Sequence, residues 1–358
     1  MKVKLGEIAT IKGGKRMPKG TNLQIKKNEH PYLRITDFDN GRFNMNSLKY
    51  VPQDVFQKIS SYTISKNDIF LSIVGTIGLV ALVNKELDGA SLTENAVKIV
   101  PKSKVDNQYL AYYLQSFRGK SQIDALSVGS TQKKLPIKNI KKLEIELPKY
   151  SEQCSISHKL AILDKKIELN NEINANLLEL AKTLFSEEFS SNEEVLLSNY
   201  LLPKRGKNLL KKNVVSGEFP VIAGGLKPAA FHNSYNTKAP VITISASGAN
   251  AGYVQIWGQP VWSSDSSYID TSITKDIYFW YLLLKKYQKQ IFDAQTGSAQ
   301  PHIYPKHIGN LLIPNISEDS IKNFNITITP IFKKIFQNKN ENNKLKAIKN
   351  SLLIKYFN

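Results

Sequence analysis

Lys165-Lys-Ile-Glu-Leu-Asn-Asn-Glu-Ile-Asn174 returns 168 residues later as Lys333-Lys-Ile-Phe-Gln-Asn-Lys-Asn-Glu-Asn342. Each stretch lies inside a longer run with 4-3 spacing. The first runs through Ile156, Leu160, Leu163, Ile167, Asn170, Asn174, Leu177, Ala181 and Leu184. The second runs through Phe324, Ile328, Ile331, Ile335, Asn338, Asn342, Leu345, Lys349, Leu352 and Tyr356. This spacing keeps one stripe of residues on one face of a helix and describes a heptad seam. Ser151-Glu152 and Ser317-Glu318-Asp319 are start signals for the two helices. The seams predict an antiparallel coiled coil in which Asn170 and Asn174 meet Asn338 and Asn342. Buried Asn lowers stability but penalises slipped registers. The alternative is that each helix packs separately on its own globular part. Pro330 predicts a break or a kink in the second helix.

Outward from the seams, the repeat continues. Gly129-Ser-Thr-Gln132 is echoed by Gly297-Ser-Ala-Gln300 at the same offset, followed by Leu135/Ile303, Lys138/Lys306, Ile140/Ile308, Leu143/Leu311 and Ile145/Ile313. Nearer the start, Leu5 and Gly14-Lys15 match Leu197 and Gly206-Lys207 at an offset of 192. The first copy therefore carries a few tens of extra residues before its Gly-Ser loop. Asp68–Gly75 and Pro240–Ala246 read as buried strands, with Leu79–Val83 and Tyr253–Trp257 as their returning partners. Asn107–Phe117 and Ile277–Tyr287 read as helices. Ile140–Leu147 and Ile308–Pro314 read as closing strands. The fold class is α+β: two mixed α/β domains related by an internal repeat, plus two long helices. The divisions are 1–150, 151–190, 191–315 and 316–358.

Length and composition agree. With 358 residues, 41% hydrophobic and 22% charged, the chain is neither disordered nor fibrous. One cysteine, Cys154, excludes an internal disulfide and a Cys-rich zinc site. No apolar run approaches the ~20 residues of a membrane span, and the start lacks a signal-peptide core, so a cytoplasmic location is expected. The net charge of +19 is uneven: +12 over 1–150, −3 over 151–190, +5 over 191–315 and +5 over 316–358. A codon bias toward Lys would not make one middle segment acidic. Two basic lobes point to a polyanion, most simply nucleic acid. The acidic helix is a poor DNA surface and is expected to meet protein through Glu168, Glu172 and Glu179.

Enzyme signatures are missing. Gly13-Gly-Lys-Arg-Met-Pro-Lys-Gly20 lacks the spacing and the Ser/Thr of a Walker A loop. Ser247 is not in a Gly-x-Ser-x-Gly elbow. The histidines His30, His158, His232, His302 and His307 form no His-x-x-x-His pair, and His302 and His307 read as polar surface residues, not metal ligands. Trp257, Trp262 and Trp280 read as core.

Leu5-Gly-Glu-Ile8, Gly14-Lys15-Arg16-Met-Pro18-Lys-Gly20, Gly129–Gln132 and Pro148-Lys-Tyr-Ser-Glu-Gln153, with their echoes from Leu197 to Asp319, resemble the specificity subunit of type I restriction–modification systems. The second copy departs: Leu197-Ser-Asn-Tyr-Leu201 replaces Leu-Gly-Glu-Ile, Arg205-Gly-Lys207 lacks the Pro-Lys-Gly, and Ser317-Glu-Asp319 lacks the Gln. The resemblance implies two target-recognition domains, each reading half of a split double-stranded DNA site. It implies a coiled coil that fixes the spacer and docks methyltransferase subunits, with restriction subunits joining the larger complex. It also implies no catalysis and no cofactor on this chain: S-adenosylmethionine, ATP and Mg belong to partner subunits. About 37 helical residues at ~1.5 Å each give roughly 55 Å, on the order of 16 base pairs as an upper scale. Other readings are a sequence-tolerant nucleic-acid-binding coiled-coil scaffold and a subunit of a type IIB-like or methylation-only system.

Candidate DNA-binding residues lie on Gly-flanked loops, because Gly lets backbone approach DNA closely. They are Lys15, Arg16, Lys19, Gln132, Lys133 and Lys134 in the first lobe, and Lys204, Arg205, Lys207, Gln300 and His302 in the second. Lys and Arg neutralise phosphates. Gln132 and Gln300, at equivalent positions, are expected to shape the loops. Asn170, Asn174, Asn338 and Asn342 are expected to set the coiled-coil register.

Overall fold

The computed structural model describes every residue except Asn40, Thr131, Ser190–Asn192 and Ser298–Ala299. The middles of both Gly-Ser loops and the expected boundary at 190/191 therefore lie outside the described residues. The chain divides into two compact units: Met1–Lys166 with Lys344–Asn358, and Ile167–Asn343. Helices of six residues or more are α1 (Asn107–Gln115), α2 (Phe117–Leu126), α3 (Tyr150–Glu188), α4 (Ile277–Lys286), α5 (Gln288–Asp293) and α6 (Glu318–Phe357).

The repeat is a repeat of topology. In the first unit the strands Ala9–Gly13, Ala96–Pro101, Ile69–Ser72 and Val80–Leu82 form one antiparallel sheet in that order. In the second, Lys204–Arg205, Ser266–Asp270, Val241–Ser245 and Val254–Trp257 form the same sheet in the same order. The registers correspond: Ala96 faces Ser72, and Ser266 faces Ser245. A second sheet in each unit contains one parallel pair, Ala90–Leu92 on Pro31–Leu33 and Trp262–Ser263 on Ser216–Ile222. The strand Thr63–Ile64 is added to the first of these, within the stretch by which the first copy is longer.

The buried strands, their returning partners, α1 and α4 fall where the sequence predicts them. Ile69, Phe70 and Leu71, and Val241 to Ile244, are inside because both faces of these short β-branched runs are covered. The closing segments differ from expectation. Ile137–Ile140 and Pro305–Gly309 are short helices, and only Glu144–Glu146 and Leu312–Pro314 are strands. A proline opens each of these helical turns, Pro136 as cap and Pro305 at the first turn, where its missing N–H costs nothing. Each closing strand pairs antiparallel with the strand that opens its copy, Lys2–Lys4 with Glu144–Glu146 and Glu194–Leu196 with Leu312–Pro314. Each globular part thus begins and ends at one strand pair.

Each unit takes in part of both long helices. In the first, Ile156 and Leu160 of α3 and Leu353 and Phe357 of α6 pack with α1 and the sheet. Phe357 lies against Tyr109 and Tyr113, and Lys349 ion-pairs with Asp164 at 2.7 Å. In the second, Ala181 and Phe185 of α3 and Phe324 and Ile328 of α6 pack with α4. The early part of one helix meets the late part of the other, so they run antiparallel. The seam positions are buried or half-buried throughout, and the extra buried rings Phe185, Phe332 and Phe357 widen the stripe where each helix also packs on its own unit. Both expected arrangements, pairing and packing on the globular part, are therefore present together. Helix α6 runs unbroken through Pro330, against the expected break. Ile326, whose carbonyl loses the donor that Pro330 lacks, is 61% exposed, a position where water can replace it.

Candidate nucleic-acid interface

Glycine geometry builds the two loops of each lobe. Gly129 and Gly297 have φ of +100° and +95°, a region open to Gly and strained for other residues. A Cβ on Gly129 would stand 2.8 Å from the Gln132 carbonyl, and one on Gly297 2.7 Å from the Gln300 carbonyl. The loops close with matched pairs of backbone hydrogen bonds, Val128 with Lys134 at 2.8 Å each, and Thr296 with His302 at 2.9 and 2.8 Å. Lys134 and His302 are thus structural equivalents at the loop base. Gln132, Lys133, Lys134 and Gln300 are exposed and His302 is half-buried.

The Gly-Lys loops are equally matched. Gly14 N–H donates to the Ala96 carbonyl at 3.1 Å and Lys15 N–H to Leu92 at 2.8 Å; Gly206 N–H donates to Ser266 and Lys207 N–H to Ser263, both at 2.9 Å. A Cβ on Gly14 would lie 2.1 Å from the Thr93 carbonyl, and one on Gly206 2.5 Å from that of Ser263. Side chains are excluded there by backbone. Lys15, Arg16, Lys19, Lys204, Arg205 and Lys207 are all exposed. Lys15 lies over the Tyr62 ring at 5.6 Å, and its carbonyl accepts from Tyr32 Oη at 2.8 Å.

Two turns join the loops in each lobe. Leu135 N–H donates to the Ile73 carbonyl and Ile73 N–H to Asn95, at 2.9 and 2.8 Å. Ile303 N–H donates to Ala246 and Ala246 N–H to Asp265, at 2.9 and 3.1 Å. The chain path from the Gly-Ser loop through the 73–78 or 246–252 turn to the 92–96 or 263–266 turn, and on to the Gly-Lys loop, is therefore the same twice. The candidates of one lobe belong to one edge, with the exception of Lys19, which sits in a Pro18–Thr21 turn held by Thr21 Oγ1 to the Pro18 carbonyl at 2.6 Å.

Sequence reading missed the acidic residues of this edge. Arg16 Nε donates to Glu94 Oε1 at 2.6 Å, and Arg205 Nη2 to Asp265 Oδ1 at 2.8 Å. Glu94 also accepts from Thr93 Oγ1 at 3.1 Å and Tyr32 Oη at 3.4 Å, and Asp265 accepts from the Ser247 hydroxyl. Burial pushes the Glu94 carboxyl up, but the bonds from Arg16, its own backbone N–H and Thr93 outweigh it and hold the group below its ordinary value. The Glu94 hydrogen bond and charge raise Arg16 in turn. The tryptophans read as core divide: Trp257 packs against the buried Ile222, Val241 and Val261, while Trp262 lies at the edge. Trp280 is buried, whereas Trp257 and Trp262 are half-buried, and Trp262 Nε1 donates to the Lys207 carbonyl at 2.8 Å.

Away from this edge, the second unit brings the seam asparagines together. Asn170 Nδ2 donates to Asn342 Oδ1 at 2.9 Å and to Glu341 Oε2 at 2.8 Å. Asn342 Nδ2 donates to Asn171 Oδ1 and Asn338 Nδ2 to Asn174 Oδ1, both at 2.9 Å. Asn170, Asn338 and Asn342 are buried, so these bonds replace water that burial removes. Among the described residues no group of three or more His, Cys, Asp or Glu could hold a metal ion, and no helix is long and apolar enough to cross a membrane.

Two copies of one basic, glycine-shaped loop edge, carried with an antiparallel helix pair, define a duplicated DNA-specificity fold. The family described as type I restriction modification DNA specificity domain matches residues 1–179. A putative type I specificity subunit of Mycoplasma genitalium is 27% identical over 313 residues, 82% of this chain and 81% of that protein. The type I restriction enzyme MjaIX specificity subunit of Methanocaldococcus jannaschii is 23% identical, over 98% of this chain and 91% of that one. The crystal structure of a type I restriction–modification S subunit from M. genitalium shares the fold, with a TM-score of 0.62 at 22% identity over 99% of this chain and 94% of that one. The chain belongs to the type I restriction–modification DNA specificity family. It is a DNA-recognition subunit, in a family that is itself non-catalytic.

Proposed function

We propose that each lobe reads one half of a split duplex site through the loop edge described above. Lys15, Lys19, Lys133 and Lys134, and Lys204 and Lys207, neutralise phosphates and place each lobe on the duplex. Gln132 and Gln300 shape the loops, and Arg16 and Arg205 reach base edges. The observation that carries this reading is that the same backbone path joins the candidate loops in both lobes. The asparagine pairs Asn170–Asn342 and Asn174–Asn338 fix the register of the helix pair, and the helix pair fixes the spacer. S-adenosylmethionine, ATP and Mg act on methyltransferase and restriction subunits, not on this chain, and the complex works in the cytoplasm. Mapping methylated adenines in cells that carry the chain and its methyltransferase tests this directly. A bipartite motif that vanishes when the chain is deleted is the expected result, and a contiguous or unchanged motif contradicts it.

The methyltransferase docks on the acidic face of α3. Glu172 and Glu179 are exposed and Glu168 is half-buried on that helix. Exposed apolar side chains, Leu169 at 42%, Ile173 at 41% and Leu180 at 48%, lie beside them. An apolar row with acidic flanks suits a protein partner and repels a phosphate backbone. Charge reversal at Glu168, Glu172 and Glu179 together is expected to reduce co-purification of the methyltransferase at least tenfold while leaving binding of the isolated chain to duplex DNA unchanged or stronger. Equal losses of both would contradict the assignment.

A further inference from the structure

The two arginine–carboxylate pairs stand at different positions of the repeat. Arg16 lies two residues after Gly14, and Arg205 one residue before Gly206. Sheet register makes Ala96 and Ser266 equivalent, yet Glu94 lies two residues before the one and Asp265 one residue before the other. A pair inherited with the duplication would keep its columns. Here neither the arginine nor the carboxylate shares its column with its counterpart in the other lobe, yet the pairing is present in both. Stability is a poor reason for the pairing, since exposed ion pairs contribute little, and the Arg16 and Arg205 side chains are 80% and 41% exposed. The neighbouring lysines differ. Among the described residues none of Lys15, Lys19, Lys133, Lys134, Lys204 or Lys207 has a carboxylate at ion-pair distance.

A bare guanidinium binds any phosphate. One whose charge is balanced by a carboxylate loses most of that indiscriminate attraction but keeps its directional donors. Arg16 uses only Nε in the pair, which leaves both terminal nitrogens as the two-donor edge that matches guanine O6 and N7, whereas Arg205 spends Nη2 on Asp265 and keeps Nε and Nη1 as its unpaired donors. The carboxylates are themselves fixed, Glu94 by Thr93 and Tyr32 and Asp265 by Ser247.

We propose that Glu94 and Asp265 are positioning residues that turn Arg16 and Arg205 from phosphate clamps into guanine readers, one in each half-site. This rests on the split-site reading above.

The test uses the full chain co-expressed with its methyltransferase subunit, a random duplex library, and sequencing of the bound fraction. Wild type is expected to enrich a split motif with a guanine in each half. Glu94→Gln should lose the guanine preference in one half only, by about 5- to 100-fold, and Asp265→Asn in the other half only. Both should bind a non-cognate duplex more tightly, with a salt dependence steeper by about 0.9 per freed charge. Arg16→Gln and Arg205→Gln, changes at exposed side chains that keep the fold, should erase the same guanines as their partners without the steeper slope. Retained guanine preference in the arginine variants, or in folded carboxylate variants, overturns the proposal. So does a lowered unfolding midpoint with an unchanged motif and slope, since that is a merely structural role. A wild-type chain that enriches no split motif refutes the split-site reading itself, a distinct outcome.

Discussion

Replacing Phe324 by Ala is expected to destabilise the second unit by roughly 3–5 kcal/mol, the usual cost of removing a buried aromatic ring. The ring is 2% exposed. Its centroid stands 5.6 Å from that of Phe185, 5.0 Å from Phe189 and 6.3 Å from Phe279. Phe185 and Phe279 are themselves 5.4 Å apart. This cluster joins α3, α4 and α6, so the cavity would open where three helices meet and no single side chain could fill it. Pairs of rings at these distances add about 0.5–1.5 kcal/mol beyond the area they bury. Phe117, 73% exposed, supplies the control: its replacement by Ala should change stability by less than about 0.5 kcal/mol. Denaturant unfolding of both variants beside the wild type decides it, and a shift below about 1 kcal/mol for Phe324→Ala would contradict the packing described.

The helix pair was legible because a heptad seam is a long periodic signal, and its repetition at one offset left little room for chance. The asparagine contacts followed from register alone. Loop glycines were legible for a similar reason: only a residue without Cβ fits beside the Thr93 or Ser263 carbonyl, so the sequence must mark the spot. The carboxylates of the same edge were not. Glu94 meets Arg16 across 78 residues of chain, and that encounter exists only once the sheet has placed the 92–96 turn beside the Gly-Lys loop. Their columns also differ between the copies, so comparing the repeats could not expose them. The expected closing strands Ile140–Leu147 and Ile308–Pro314 begin too early, because the short helices Ile137–Ile140 and Pro305–Gly309 reach into their first residues and only Glu144–Glu146 and Leu312–Pro314 find a strand partner. Pro330 failed to break α6 because packing on both sides holds the helix, with Ile328 and Phe332 buried.

Exchange of the second globular part for that of a homologous chain is expected to change one half of the recognition motif completely and leave the other untouched. The architecture permits such an exchange. The Asn315 N–H donates to the Glu193 carbonyl at 2.9 Å, and Glu194 faces Pro314 in the strand pair that begins and ends this part. Entry and exit are therefore side by side. Residues 193–315 can be replaced there while α3 and α6 keep their sequence, their Asn170–Asn342 and Asn174–Asn338 bonds, and the spacer proposed for them. Ile242, Ile244, Val254 and Ile269 against α4 travel with the exchanged segment, while Ala181, Phe185, Phe324 and Ile328 of the same core stay on α3 and α6, so the donor is a homologue whose α4 packs on like side chains. Specificity moves with loop residues and not with net charge, since one basic lobe replaces another. Single-molecule mapping of methylated adenines in cells carrying the exchanged chain is the decisive measurement. One altered half-site, one retained half-site and an unchanged gap are predicted. A motif altered in both halves, or in neither, would contradict the claim that each lobe reads its half alone.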